Sequence, residues 1–191
     1  EYEPKVAAIG AGLDIFKPSG NMVIDMGGGT SDIAILSLGD IVSSQSVRMA
    51  GDKMNTDITE YIKAKHGLVI GEHSAEQIKI KLGTALKVAE PKTMDVRGRD
   101  VATGMPRQIQ INENEIEEAL HDTLDQIVHA AIAVLETVPP ELASDIIDRG
   151  VMLTGGTALL HGIDQLFSEK LKVPVVVSQD PLDNVAKGAG E

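Results

Sequence analysis

Apolar positions along the chain fall into short runs broken by glycine. The first clear pair is Met22-Val23-Ile24-Asp25 and Ile33-Ala34-Ile35-Leu36. Short unbroken apolar runs bounded by turn residues read as buried strands, and Gly27-Gly28-Gly29-Thr30-Ser31 joins these two as a hairpin with a glycine-rich tip. Gly39-Asp40 is a two-residue turn signal that predicts a third strand over 41–48, making an antiparallel meander. The spacing then lengthens to three and four. Met54, Ile58, Tyr61 and Ile62 predict a helix over 51–66 with Gly67 as its stop. Ile78, Leu82 and Leu86 predict another over 74–88, with Ser74-Ala75-Glu76-Gln77 as its capping box. Residues 94–111 are more polar, and Arg97-Gly98-Arg99-Asp100 and Gly104-Met105-Pro106 predict short strands and turns in a small peripheral insertion. Asn114, with Glu117 three residues on, opens a long helix marked by Ile116, Leu120, Leu124, Ile127, Ala131 and Leu135 and closed by Pro139-Pro140. A buried strand over 150–154 runs into Gly155-Gly156-Thr157. A helix over 163–171, a strand over 173–178 and a last helical stretch over 181–188 follow. Strands alternating with helices around one polar insertion predict an α/β domain carrying a smaller α/β subdomain.

Charge and composition narrow the function. A net charge of −12 argues against a nucleic-acid partner, because phosphate-backbone binding needs clustered Lys and Arg. The absence of cysteine removes disulfides, thiolate metal sites and cysteine nucleophiles, and fits a cytoplasmic setting. No apolar run reaches the roughly 18–20 residues of a spanning helix. The start, Glu1-Tyr2-Glu3-Pro4, lacks an initiator Met and runs straight into the helix-like Val6-Ala7-Ala8-Ile9, which reads as a chain truncated at its beginning. His66, His73, His121, His129 and His161 show no metal-ligand spacing and read as surface histidines. Lys79 and Lys81 cannot share a helix face, and Arg97 and Arg99 read as solvent-facing on a strand.

Two glycine turns carry the candidate chemistry. A glycine turn at a strand end lets backbone amides converge into a nest for phosphate oxygens, and Asp25-Met26-Gly27-Gly28-Gly29-Thr30 has that form. In such a nest the Thr30 hydroxyl would meet a terminal phosphate or a water, and Asp25 would hold the water shell of Mg²⁺. The alternative is a merely tight hairpin. Neither the Walker pattern nor the dinucleotide-binding glycine pattern is present. Gly150-Val151-Met152-Leu153-Thr154-Gly155-Gly156-Thr157-Ala158 is a second strand ending in paired glycines, where a flat ring or a phosphate can approach the backbone. Alone, it reads equally well as a plain strand-to-helix junction.

In that order the two turns resemble the second phosphate motif and the adenosine motif of the actin, sugar-kinase and heat-shock-chaperone ATPase superfamily. Glu3-Pro4-Lys5-Val6-Ala7-Ala8-Ile9-Gly10-Ala11-Gly12-Leu13, Met49-Ala50-Gly51-Asp52-Lys53, Arg97-Gly98-Arg99-Asp100, Pro139-Pro140-Glu141-Leu142 and Asp145-Ile146-Ile147-Asp148-Arg149-Gly150 narrow the resemblance to the MreB/Mbl family of bacterial actin-like proteins. The resemblance covers nearly the whole chain. It implies the second lobe of an actin-like, ribonuclease H-like ATPase, with residues 1–50 and 111–191 as the core subdomain and 51–110 as the inserted one. It also implies ATP and Mg²⁺ as cofactors, Asp25 near the metal through water, and Gly28, Gly29 and Thr30 on the phosphates. Glu76, Gln77, Ile78 and Lys79 would lie on the adenosine side, and Gly155, Gly156, Thr157 and Ala158 along base and ribose. Glu3, by position alone a terminal charge, matches the glutamate that positions the attacking water, with Thr30 assisting. The implied function is a filament-forming ATPase that organises cell-wall synthesis and rod shape beneath the inner face of the plasma membrane. Its partners would be copies of itself and cell-wall elongation membrane proteins. The implied first lobe, which carries the membrane-insertion elements and half the cleft, is missing, so this half alone is expected to be inactive. The competing readings are a small-molecule kinase of the same superfamily and a chaperone-type ATPase, which would need a substrate-binding extension after Gly190.

Overall fold

The computed structural model describes residues 3–182, the side chain of Glu3 excepted. Five strands form the main sheet: β1 (Asn21–Met26), β2 (Ser31–Ser37), β3 (Asp40–Val47), β7 (Val151–Thr154) and β8 (Val175–Val177). Their spatial order is β3-β2-β1-β7-β8, antiparallel from β1 to β3 and parallel from β1 through β7 to β8. Helices cover both faces, which is why β1 and β2 read as unbroken apolar runs rather than alternating ones. On one face lies α1 (Glu3–Gly10), with Ala8, Ile15, Val23, Ala34 and Leu36 buried there; α5 (Pro140–Arg149) contacts β1 and places Ile146 in the core on the opposite face. On that opposite face, α4 (Glu113–Glu136) packs on β2 and β3 and α6 (Ile163–Leu171) on β8. The edge strand β3 carries Ser43, Ser44, Gln45 and Ser46 and is largely exposed, a polar edge that discourages pairing with other chains.

A three-stranded sheet, β4 (Leu68–Val69), β5 (Thr93–Asp100) and β6 (Pro106–Asn112), stands apart from the first. Against it lie α2 (Gly51–His66) and α3 (Glu72–Leu82). Met54, Ile58 and Ile62 of α2 and Ala75, Ile78 and Leu82 of α3 join Val96 and Ile111 to the same apolar cluster that holds Met22, Ile24 and Ile127. One core therefore runs through both sheets. Helix α2 ends where expected: Gly67 takes φ 61° and its N–H donates to the Lys63 carbonyl at 3.1 Å.

Several boundaries depart from the sequence expectation. The long helix starts two residues early, on Asn112 and Glu115 rather than Asn114 and Glu117. The run Asn112-Glu113-Asn114-Glu115 offers two overlapping box registers, and the pairing of Asn112 with Thr93 ends the β6 ladder there, so the first register wins. Asn114 is used elsewhere: its amide accepts from Val88 N at 2.9 Å and donates to Val88 O at 3.1 Å. The helix expected over 74–88 spans only 72–82 and has Gly71 as its N-cap, without the proposed box. Beyond it the backbone turns away, because Thr84 bridges to His161 and Ala85 N donates to the His161 carbonyl. A β carbon on Gly83 would sit 2.2 Å from the Lys79 carbonyl oxygen. Helix α5 is not among the expected elements: Pro139-Pro140 signals a helix stop, but Pro140 also opens a helix, where its missing N–H costs nothing. The helical stretch expected over 181–188 falls outside the described residues beyond Leu182.

Replacing Asn112 by Ala removes the cap and is expected to lower stability by about 1 kcal/mol. Urea unfolding checks it, with a shifted midpoint and an unchanged slope.

Candidate nucleotide-binding cleft

The parallel pairing of β1 with β7 sets Asp25 opposite Thr154. The two glycine turns, 129 residues apart between Gly27 and Gly156 in the chain, therefore leave the sheet side by side at its carboxyl edge, where crevices of α/β sheets open. Between them lies a cleft of about 820 Å³, floored by Asp25, Gly27 and Gly28 on one side and Gly155, Gly156 and Thr157 on the other. Helices α2 and α3 supply one wall through Gly51, Asp52, Glu76 and Lys79.

Each turn is held by its neighbours. The Gly27 carbonyl accepts from the Gly51 N–H at 3.1 Å and from Thr157 Oγ1 at 3.3 Å, and its own N–H closes the turn on the Thr30 carbonyl at 3.0 Å. The Gly28 carbonyl accepts from Asp52 N at 2.8 Å. With both carbonyls spent on the fold, the N–H groups of Gly28, Gly29 and Thr30 make no hydrogen bond among the described residues. Three consecutive free amides on an exposed glycine turn form the nest that a phosphate chain fits. Gly155 takes φ +86° and a β carbon there would lie 2.3 Å from Met26 O and 2.7 Å from Asp25 Oδ1. Only glycine lets the second turn come this close to the first.

Of the residues singled out in the sequence, Asp25, Gly28, Glu76, Lys79, Gly155, Gly156 and Thr157 line the cleft. Gly29 and Thr30 sit on the same turn outside the lining, with Thr30 Oγ1 donating to Asp32 Oδ2 at 3.0 Å. Ile78 and Ala158 are buried in the core, and Gln77 lies on α3 away from the lining. Glu3 opens α1, but its side chain lies outside the described residues. The sequence reading missed Gly51, Asp52, Ile80, Leu159 and Leu182. Ile80, Leu159 and Leu182 are exposed apolar side chains on the rim, a surface suited to a flat heteroaromatic ring. Ile80 had a signal: two residues from Ile78, it falls off the buried stripe of its helix.

Lys79 reaches into this wall, with Nζ 2.8 Å from Glu76 Oε2 and 3.1 Å from the Gly51 carbonyl. Asn55 Nδ2 donates to the same Glu76 oxygen at 2.7 Å. The Lys79 hydrogen bond, then that from Asn55, hold the Glu76 carboxyl below the ordinary glutamate range, against the opposing effect of burial. For a metal, the donor set is one buried carboxylate, Asp25, beside open space, which suits Mg²⁺ held largely by water and phosphate oxygens. Among the described residues no group of three or more His, Asp or Glu side chains is placed to form a protein metal cage. No described helix is long and apolar enough to cross a membrane.

The family model for MreB/Mbl proteins matches residues 1–191. The chain belongs to the MreB/Mbl family. It is 58% identical over 190 residues to the cell shape-determining protein Mbl of Bacillus subtilis, covering all of this chain and 57% of that protein. It is 49% identical over 189 residues to the cell shape-determining protein MreB of Escherichia coli, covering 99% of this chain and 54% of that protein. The chain thus spans little more than half the length of these curated relatives. Crystal structures of MreB5 of Spiroplasma citri bound to AMPPNP and to ADP superpose on the whole chain with TM-scores of 0.96 and 0.97 at 39% identity, over 57% and 58% of those chains. The five-stranded sheet with its helical layers is accordingly the actin-like fold of the MreB/Mbl family.

Gly155→Ala forces a side chain into a left-handed residue against the first turn and is expected to cost about 2–4 kcal/mol, measured by thermal or urea unfolding. Gly29→Ala, with nothing within 4 Å of the added carbon, is expected to leave stability nearly unchanged. For Glu76, a depressed folded-state pKa means that its stabilising effect is complete above the ordinary glutamate value of 4.5 and is lost as pH falls through the lower folded value. The side chain is 41% exposed, so solvent screening limits the effect to a few tenths of a kcal/mol. Glu76→Gln should therefore unfold slightly more easily than the wild type at pH 7 and equally easily near pH 2, in paired urea titrations.

Proposed function

We propose that this chain is the ATP-binding second lobe of a filament-forming, cell shape-determining protein, in which nucleotide in the cleft governs assembly. The observation that carries the reading is the set of three free amides at Gly28, Gly29 and Thr30 on the glycine turn that borders a cleft closed by the second glycine turn. The amides would hold the phosphate chain, and Glu76 and Lys79 would face the sugar. The apolar rim of Ile80, Leu159 and Leu182 would cover the base. Mg²⁺, when bound with ATP, would supply charge neutralisation for the phosphates, and Asp25 would orient its water shell. Glu3 would position the attacking water, with the Thr30 hydroxyl assisting.

The nucleotide-bound structures of MreB5 support the ligand, and the names of the Mbl and MreB relatives support the cellular role. Membership of this family speaks for the cytoskeletal reading over a small-molecule kinase. We place the protein in the cytoplasm at the inner face of the plasma membrane, working with copies of itself and with membrane proteins of cell-wall elongation. Membrane attachment would come from the first lobe. The net charge of −12 speaks against nucleic acid.

The test is sedimentation with and without ATP of the chain extended to the full length of its relatives, beside the same protein carrying Glu3→Ala. The expected result is ATP-dependent pelleting of the wild type and at least tenfold slower phosphate release by the variant. Absence of polymer at every concentration, with phosphorylation of a small co-substrate instead, would replace the filament reading by the kinase one.

A further inference from the structure

The cleft is negatively charged before any ligand enters it. Among the described residues that line it, Asp25, Asp52 and Glu76 carry carboxylates and Lys79 is the single cation. That ammonium is already shared between Glu76 and the Gly51 carbonyl. Lys53, next to Asp52 on α2, turns instead to Asp57, which Thr123 also holds. No described lysine or arginine of the lining is left to meet a phosphate chain.

Asp52 stands out among the three acids. Asp25 is buried and is not without a partner, and Glu76 is neutralised by Lys79. The Asp52 carboxylate is exposed and makes no hydrogen bond or ion pair among the described residues. Its position is nonetheless fixed, because its own N–H is tied to the Gly28 carbonyl at 2.8 Å. Its Oδ1 and Oδ2 lie 3.6 and 3.8 Å from the point where a Gly28 β carbon would be, so the carboxylate flanks the turn whose amides are free.

We infer that Asp52 makes phosphate binding in this cleft depend on a bound divalent cation, acting as a charge filter beside the Gly28–Thr30 nest. The inference rests on the nucleotide reading above. Without a cation, the carboxylate repels a phosphate group held by those amides. With one, its oxygens add to the hard-oxygen environment in which a hydrated Mg²⁺ sits between carboxylate and phosphate. A unit-charge pair about 4 Å apart in water corresponds to roughly a fivefold change in affinity. Asp52 is therefore a specificity-determining residue for the cation-bound nucleotide, separate from the role assigned to Asp25.

The experiment is equilibrium binding of a fluorescent ADP analogue to the chain extended to the full length of its relatives, in Mg²⁺ and in EDTA, for the wild type, Asp52→Asn and Asp52→Ser. Far-ultraviolet circular dichroism and urea midpoints confirm that both variants fold like the wild type. The expected result is that both variants bind about fivefold tighter than the wild type in EDTA and within twofold of it in Mg²⁺, so that the ratio of the two affinities shrinks about fivefold. An unchanged ratio in both variants, or an equal loss of affinity in both buffers, overturns the inference while leaving the nucleotide reading intact. A wild type that binds the analogue in neither buffer overturns both.

Discussion

The parallel pairing of β1 with β7 is the constraint on which the rest of the molecule depends. Parallel strands cannot be joined by a tight turn, so the chain between them must travel out and return. Here the return path holds β2, β3 and the whole of the second sheet with α2, α3 and α4. The register that sets Asp25 against Thr154 then brings two distant glycine turns to one edge, and the site exists only because of that register. A slip of one residue would turn Met22, Ile24 and Met26 away from the core they share with α4 and expose them to the opposite layer.

At that edge, function follows from how the backbone divides its hydrogen-bonding groups. The carbonyls of Gly27 and Gly28 point into the fold and are taken up by the first residues of α2 and by Thr157. The amides of Gly28, Gly29 and Thr30 are left outward. Burying a carbonyl without a partner is costly, so these contacts stabilise the turn and orient its amides in the same step. They also tie the turn to α2, and through the Lys79 contact with Gly51 to α3, so the wall and the floor of the cleft are one hydrogen-bonded unit.

The electrostatics of this unit explain why its acids are treated so differently. Asp25 is buried, Glu76 is held in its charged form by Lys79 and Asn55, and Asp52 is left facing water. An acidic chain with an acidic cleft does not attract phosphate by net charge. Recognition here relies on local dipoles and on cations brought by the ligand.

Much of this was legible in the sequence. The strands around Met22-Val23-Ile24 and Ile33-Ala34-Ile35, the helix stopped by Gly67 and the helix over 163–171 are written in apolar spacing and glycine placement, which act locally. The resemblance rested on residues spread along the whole chain, which is why the family was legible as well. Where the sequence reading failed, a distant partner decided. Asn112 prevailed over Asn114 because β6 ended against β5, and α3 stopped at Leu82 because Thr84 and Ala85 were drawn to His161. Asp52, Ile80, Leu159 and Leu182 joined the site through packing alone, since no motif connects four residues from four separate segments. The sequence by itself determined the secondary elements, the two glycine turns and the family, because those depend on neighbouring residues and on motif order. Only the tertiary structure decided which amides stay free and which carboxylate faces them, because both depend on hydrogen bonds between segments far apart in the chain.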